Sequence, residues 1–121
     1  MQPTTGYSRG DVVLVGFVFT DESGQKRRPA LILSSDAYQI GRQEAIIAAI
    51  TSNVDRRLFG DHPVQEWKEA GLLYPSLVTG IIRTIKQSGI DRKLGALPVG
   101  DMSAVERVLM FSLGMGQPGK G

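Results

Sequence analysis

Short runs of apolar, mostly β-branched residues alternate along this chain with polar segments that contain glycine. Runs of this length without a helical period predict β-strands. The predicted strands cover residues 12–19, 29–34, 44–51 and 75–85, with a shorter one near 62–66. Residues 90–97 are expected to be either irregular or a short edge strand. The alanines of 44–51 would also permit a helix, but the neighbouring runs and the Thr-Ser-Asn ending favour a strand. The first strand is expected to be buried on much of both faces.

Glycine and proline mark the irregular points of these strands. We expect a bulge at Gly16, a bend at Gly80, and Pro29 at the first position of its strand. The connections are predicted as a mobile loop over 20–26, one helical turn within 35–43, and one helical turn over 67–70 that ends at Gly71.

The pattern changes to a helical period near the C-terminus. Residues 99–113 are predicted as a helix that ends at Gly114. Its apolar stripe comprises Met102, Val105, Val108, Leu109 and Leu113. Phe111 falls on the opposite side, so the helix has two apolar faces; either a second subunit or a fold that wraps the helix more fully would cover both. The expected fold is mainly β with a C-terminal helix, a small curled barrel over 9–115 with flexible tails at 1–8 and 116–121.

Composition narrows the classes of function. The 121 residues suit one domain. Cysteine is absent and histidine occurs once, as His62, which excludes disulfides, thiolate metal sites and multi-histidine sites. We therefore expect no metal and no cofactor. The first residues lack the features of a signal peptide, and no run approaches the about 20 apolar residues of a membrane span, so we expect a cytoplasmic protein with no membrane contact.

Arginine is concentrated near two predicted strand ends. The net charge is only +2, but nine of the 14 cations are arginine, the cation best suited to bidentate phosphate contacts. The pairs Arg27-Arg28 and Arg56-Arg57 lie near the start of the second strand and beyond the Thr51-Ser52-Asn53 end of the third. Solvated loop charge is the alternative interpretation of these pairs.

Several motifs in this order resemble the MazF/PemK toxin family. The segments are RGDVVLV at 9–15, RRPALILS at 27–34 and ITSN at 50–53, followed by PSLV at 75–78, RTI at 83–85 and LGAL at 94–97. The resemblance implies an SH3-like barrel, a homodimer, and a metal-independent endoribonuclease of a toxin–antitoxin system. Its implied partners are single-stranded RNA and a cognate antitoxin. In the family, the arginine of R-P-A-L and the threonine ending the third strand are the catalytic pair, here Arg28 and Thr51.

The chemistry of metal-free RNA cleavage fits these two residues. The 2′-hydroxyl attacks the adjacent phosphate, leaving a 2′,3′-cyclic phosphate and a 5′-hydroxyl. Arg28 would stabilise the phosphorane, and Thr51 would donate to the same phosphate. The predicted substrate-binding residues are Arg27, Asn53, Arg56 and Arg57.

The general base is left open by the sequence. Members of the family also use charged residues on the strand before R-T-I, but residues 77–82 carry no charge here. Asp21, Glu22 and His62 are the candidates, with solvated or structural roles as the alternatives. Trp67, Tyr74 and Phe19 would either stack on bases or lie in the core, and the core is the expectation for each.

Two other classes of function compete with the nuclease. The first is a non-catalytic growth inhibitor that binds a protein such as DNA gyrase through the same fold. The second is an SH3-like adaptor for peptides, which would need an aromatic-lined groove. The presence of Arg28 and Thr51 argues against the first of these, and the uncharged strand 77–82 favours it; from pattern alone, the alternative for the two residues is a salt-bridged strand end and an ordinary strand threonine.

Overall fold

The computed structural model describes residues 6–18 and 25–116. Within this part of the chain, six strands form one antiparallel sheet in the order β4-β5-β3-β2-β1-β6. The strands are β1 (Asp11–Val18), β2 (Gln25–Ile32), β3 (Glu44–Thr51), β4 (His62–Pro63), β5 (Leu77–Lys86) and β6 (Ile90–Ala96). The helices are α1 (Asp36–Arg42) and α2 (Val99–Ser112). The prediction of a mainly β domain with a C-terminal helix is confirmed, and the sheet stays open between its edge strands β4 and β6.

The start of β2 differs from the prediction. Gln25 and Lys26 belong to β2 rather than to a loop, and the other residues of the predicted mobile loop lie outside the described part of the chain. Pro29 is the fifth residue of β2, not its first, and it pairs with Leu14 of β1. The β2–β3 pairs run from Ala30 to Ile32, so Pro29 lies just outside them. This position suits proline, because proline has no backbone N–H to donate to a neighbouring strand.

Of the two irregularities predicted within strands, a bulge at Gly16 and a bend at Gly80, the structure has only the second. Gly16 pairs regularly with Arg27, and the shifts of β1 lie instead in its pairing with β6, after Val12 and after Leu14. Gly80 does lie in a bulge, because the β3–β5 register jumps from Ala48↔Ile82 to Ile50↔Val78. One residue of β3, Ala49, therefore lies opposite three residues of β5, 79–81, at this point.

Both faces of the central strands are buried, as expected for the first of them. Neighbouring residues of a strand point to opposite faces, and both Val12 and Val13 are fully buried. One face joins Val12, Leu31 and Ile50 to Val105 of α2. On the other face a second cluster comprises Val13, Val15, Ala30, Ile32, Ala45, Ile47 and Ile90.

Fewer residues of the predicted apolar stripe of helix α2 are buried than expected. Val105 is buried and Met102 and Leu109 pack on the core, but Leu113 is exposed, because the helix has ended at Ser112 and Gly114 follows with a positive φ of 73°. Phe111 is also exposed. Neither described helix is long and apolar enough to cross a membrane.

Candidate active site

The sheet splits between β2 and β3 directly beyond their short ladder. The recorded pairs run from Ile32↔Ile47 to Ala30↔Ala49. Continuing this register by two residues sets Arg28 opposite Thr51, on the same face of the sheet. Past the last pair β2 stays with β1 and β3 stays with β5, down to Thr51↔Leu77. Arg28 and Thr51 therefore lie on the two sides of one split, as the sequence predicted.

A concavity of about 470 Å³ opens at this split, and we call it the first groove. It lies within the about 300–1,000 Å³ typical of ligand sites. Its lining consists of Leu14, Arg27, Arg28, Pro29, Ile50, Thr51, Ser52, Gly71, Leu72, Leu73, Tyr74, Ser76, Arg92 and Leu94. This lining contains three arginines and no acidic residue, so the groove is suited to an anion.

The arginines of the first groove differ in their surroundings. Arg27 lies 3.5 Å from the Asp91 carboxylate, with both side chains substantially exposed, so this pair is weak. Arg28 is exposed at the mouth of the groove. Arg92 on β6 was missed by the sequence reasoning. The sequence shows only that Arg92 lies among polar residues of a short predicted strand. Its place at the groove depends on the pairing of Arg92 with Leu14 of β1, which the sequence does not reveal.

Thr51 is oriented by the turn that follows it. Its Oγ1 accepts a hydrogen bond from the Asn53 backbone N–H at 3.1 Å. A hydroxyl that accepts in this way keeps its proton for a ligand. The side chain is half-buried at the end of β3, so it is held on a rigid element. Thr51 can therefore donate to an anion in the groove.

Thr51 also borders a second concavity, of about 440 Å³, which we call the second groove. Its other lining residues are Asn53, Arg56, Leu58, Phe59, Asp61, Thr79, Gly80 and Ile81. Two of the predicted substrate-binding residues, Asn53 and Arg56, lie here and not beside Arg28. Arg57 lines neither groove. The predicted set is thus divided between two concavities that share Thr51.

The second groove is shaped by Asp61 and the β5 bulge. The buried Asp61 carboxylate accepts hydrogen bonds from the N–H groups of Leu58, at 2.9 Å, and of Gly80, at 3.1 Å. Thr79 donates its hydroxyl to the Ala49 carbonyl at 2.7 Å and accepts from the Ile81 N–H. Since these side chains satisfy the backbone groups freed by the bulge, Asp61 has a structural role.

His62 lies outside both grooves. Its imidazole is only 13% exposed, and its Nε2 is 2.8 Å from the Asp101 carboxylate at the start of α2. Asp101 also accepts from the N–H groups of Gln65 and Glu66. Burial opposes ionisation of Asp101, but these N–H groups and the His62 ring together hold its pKa below the ordinary value. His62 is thus part of a clamp between β4 and α2.

The other candidates for proton transfer and stacking also have definite places. Asp21, Glu22 and Phe19 lie outside the described residues. Trp67 packs against the core, as expected. Tyr74 does not, because its side chain is 62% exposed at the wall of the first groove.

The wall that carries Tyr74 is fixed by a close crossing of two glycines. Residues 67–70 form a turn, and Gly71 follows with φ +86°. A Cβ at Gly71 would lie 2.2 Å from the Leu94 carbonyl oxygen, and one at Gly95 would lie 2.4 Å from the Ala70 oxygen. Such contacts are impossible for a real side chain, so only glycine lets the segment 71–76 lie against β6 and enclose the groove.

In the part of the chain that the structure describes, no three His, Asp or Glu side chains come together as metal ligands. What the first groove offers is guanidinium groups and hydroxyls around an apolar floor. These groups can hold a phosphate and stabilise added negative charge on it.

The sequence profile described as "PemK-like, MazF-like toxin of type II toxin-antitoxin system" matches residues 8–113. The chain therefore belongs to this family, and the resemblance of its motifs is confirmed.

Solved structures show the same fold. An endoribonuclease in complex with its cognate antitoxin, from Mycobacterial species, superposes with a TM-score of 0.73 at 18% identity, over 93% of this chain and 99% of that one. The MazE–MazF structure (Form-II) from Deinococcus radiodurans gives 0.71 at 20% identity, over 95% and 100%. The Mycobacterium tuberculosis toxin MazF-mt6 gives 0.69 at 24% identity, over 88% and 99%.

Proposed function

We propose that this chain is the toxin of a type II toxin–antitoxin system and cleaves single-stranded RNA without a metal ion. The observation that carries the proposal is the first groove, where Arg28 and Thr51 lie on the two sides of the β2–β3 split and the described walls hold three arginines and no acid. Family membership supports the same activity, since similar structures are described as endoribonucleases. We place the protein in the cytoplasm, where its RNA substrate is found.

The proposed reaction is an internal transesterification at one phosphate. The 2′-oxygen forms a bond to phosphorus while the bond to the 5′-oxygen breaks, which leaves a 2′,3′-cyclic phosphate and a 5′-hydroxyl. Arg28 stabilises the charge on the phosphorane, because its donors match two non-bridging oxygens. Thr51 donates its hydroxyl to the same phosphate and fixes its position.

Proton transfer needs a group beyond the described walls of the first groove, which hold no carboxylate and no imidazole. We assign it to Asp21 or Glu22, which belong to the connection between β1 and β2 and so precede Arg28 by only a few residues. The acceptor takes the proton of the 2′-hydroxyl, and the leaving 5′-oxygen takes a proton from water. Replacing the true acceptor by its amide should remove the fall of the cleavage rate at low pH, because a carboxylate acts as a base only when it is ionised, whereas the other amide variant should keep it.

We further propose that the protein is a homodimer whose interface includes an apolar patch beside the second groove. The patch consists of the exposed side chains Leu58, Phe59, Ile81, Phe111 and Leu113. The rings of Phe59 and Phe111 are in contact, with centroids 6.2 Å apart, so the patch is continuous across the loop and the end of α2. A cognate antitoxin would bind the basic first groove with an acidic segment that folds as it binds.

The competing function is a non-catalytic inhibitor of a protein target such as DNA gyrase. The lack of a proton acceptor in the described walls of the first groove is the observation that favours it.

The two functions separate in an Arg28→Ala variant expressed in bacteria, with Arg107→Ala, an exposed arginine of α2, as the matched control. The nuclease proposal requires that Arg28→Ala abolish both growth arrest and RNA cleavage, while Arg107→Ala retains both. Arrest by a folded Arg28→Ala protein would support the protein-target function instead.

A further inference from the structure

Two groups at the far wall of the first groove have no role in the reaction described above. Tyr74 lies on the segment that the glycine crossing fixes, and Arg92 lies on β6. Both line the same concavity as Arg28 and Thr51. They therefore lie within reach of a substrate whose phosphate is held at the split.

Arg92 is the arginine of this groove that is best placed to take a further anion. Its neighbours in sequence, Asp91 and Lys93, each belong to an ion pair, with Arg27 and with Asp11 respectively. Within the described residues no acid pairs with Arg92, and its side chain is exposed. A guanidinium that no described acid neutralises, at a groove whose described walls hold no carboxylate, attracts a phosphate.

Tyr74 offers a flat apolar surface beside this cation. Its side chain is 62% exposed and Leu73, next to it, is 80% exposed. Exposure of two large apolar side chains at a fixed wall is costly unless a ligand covers them. The Ser76 hydroxyl donates to the Tyr74 carbonyl at 2.7 Å, so the backbone beneath the ring is held in place.

From this arrangement we propose that Tyr74 and Arg92 form a nucleotide subsite next to the cleaved phosphate, in which the tyrosine ring stacks on an unpaired base and Arg92 binds the phosphate attached to it. Stacking on an aromatic ring tolerates every base, and the exposed Ser52 hydroxyl at the same groove is the group that reads the base edge. The subsite requires single-stranded RNA, because a base in a duplex cannot leave the stack to reach the ring. The inference rests on the proposed function for the identity of the ligand.

Arg92 and Tyr74 would contribute to RNA binding by different interactions, an ionic contact and stacking, and binding measurements at several salt concentrations can separate the two. A cation that neutralises one phosphate of a single strand changes the slope of log K against log salt by about 0.7. Stacking carries no such salt term. Loss of a stacked aromatic weakens binding by about ten- to a hundredfold.

The test is binding of a fluorescently labelled, mixed-sequence 2′-fluoro RNA single strand to the full chain at several salt concentrations. This probe cannot be cut, because it has no 2′-hydroxyl. Arg92→Gln should lower the salt slope by about 0.7, while Tyr74→Ala should weaken binding about ten- to a hundredfold with the slope unchanged. Tyr74→Phe should bind as the wild type does.

Lys93→Gln is the matched control, since it removes a charge from the same strand at a position that lines neither groove. The subsite is overturned if Arg92→Gln and Lys93→Gln lower the slope equally, or if Tyr74→Ala binds as Tyr74→Phe does. Cleavage of natural RNA is measured in parallel. If the wild type cuts RNA but neither the Arg92 nor the Tyr74 substitution changes binding of the probe, the subsite is refuted and the nuclease is not. If both substitutions change binding as predicted but the wild type does not cut RNA, the nuclease is refuted and the subsite is not.

Discussion

Arg28 and Thr51 each lie two residues beyond the last pair of the β2–β3 ladder, one on each side of the split. Thr51 is the last residue of β3, whereas Arg28 lies within β2 and pairs with Val15 of β1. A strand positions a side chain more rigidly than a loop does. The exposed arginine can present its donors to a phosphate, and the half-buried threonine offers a fixed hydroxyl.

Removal of either group should reduce the rate without unfolding the protein. Arg28→Ala should lower the rate constant of cleavage by about 10²–10³, the usual cost of one preorganised donor. Thr51→Val should also lower it, whereas Thr51→Ser, which keeps the hydroxyl, should retain most of the activity. Single-turnover cleavage rates with melting temperatures of all variants provide the measurement. A Thr51→Val protein as fast as Thr51→Ser would show that the hydroxyl has no part in the reaction.

The Asp101 clamp predicts an acid-sensitive stability. Because the folded state holds the pKa of Asp101 below its ordinary value of 3.8, the folded protein binds this proton less readily than the unfolded chain. The stabilisation is therefore complete above pH 3.8 and is lost as the pH falls through the lower value of the folded state.

Asp101→Asn should lower the free energy of unfolding by about 1–3 kcal/mol at neutral pH, because an amide cannot accept from His62, Gln65 and Glu66 as a carboxylate does. The difference from the wild type should shrink as the pH falls below 3.8. Urea unfolding at a series of pH values measures both effects. A constant difference across this range would refute the ionised clamp.

Among the elements, the segment that carries Tyr74 depends most strictly on its sequence. Gly71 combines a positive φ with a Cβ position 2.2 Å from a carbonyl oxygen of β6. Neither local propensity nor hydrophobic period describes this requirement, since the contact joins residues about one-fifth of the chain apart. The turn and β6 must therefore be considered together.

Gly71→Ala should destabilise the protein by at least about 1–3 kcal/mol, the cost of left-handed backbone alone, and should weaken RNA binding by moving the wall of the first groove. Gly100→Ala is the control, because Gly100 lies in α2 with nothing within 4 Å of its Cβ position. That change should be neutral or stabilising by up to about 1 kcal/mol. Thermal unfolding of the two variants is the measurement, and equal melting temperatures would contradict the crossing.

Local pattern predicts the elements better than the site. The bounds of β3, the bend at Gly80 and the approach of Arg28 to Thr51 all follow from runs of apolar residues and their polar ends. The pattern did not indicate that Arg57 lines neither groove, that Tyr74 is exposed or that Arg92 lines the first groove, and the reason is common to all three. Each depends on how the sheet splits and on which segment closes the split, and these are relations between distant parts of the chain.

For the molecule as a whole, the apolar patch around Phe111 is the feature that a monomer leaves unexplained. Phe111 is 51% exposed and contacts an even more exposed Phe59. Exposed apolar side chains that lie together mark protein interfaces more often than isolated ones do. Burial of this patch in a dimer would also bring the second groove to the interface.

Phe111→Asp should convert the dimer to a monomer, since burial of an unpaired carboxylate in an apolar interface costs several kcal/mol. Val99→Asp, at the other end of α2, where the side chain is even more exposed than that of Phe111, should leave the dimer intact. Sedimentation velocity distinguishes the two states. A dimeric Phe111→Asp protein would place the interface elsewhere.

The central claim is metal-independent cleavage at the first groove, and one measurement tests it most directly. The protein is incubated with a long mixed-sequence RNA in excess EDTA, and the ends of the products are mapped chemically. The account predicts discrete cuts that end in 2′,3′-cyclic phosphate and 5′-hydroxyl, and cleavage about 10²–10³ slower with Arg28→Ala. Intact RNA after incubation with a folded wild-type protein, or cleavage by Arg28→Ala at the wild-type rate, would contradict it.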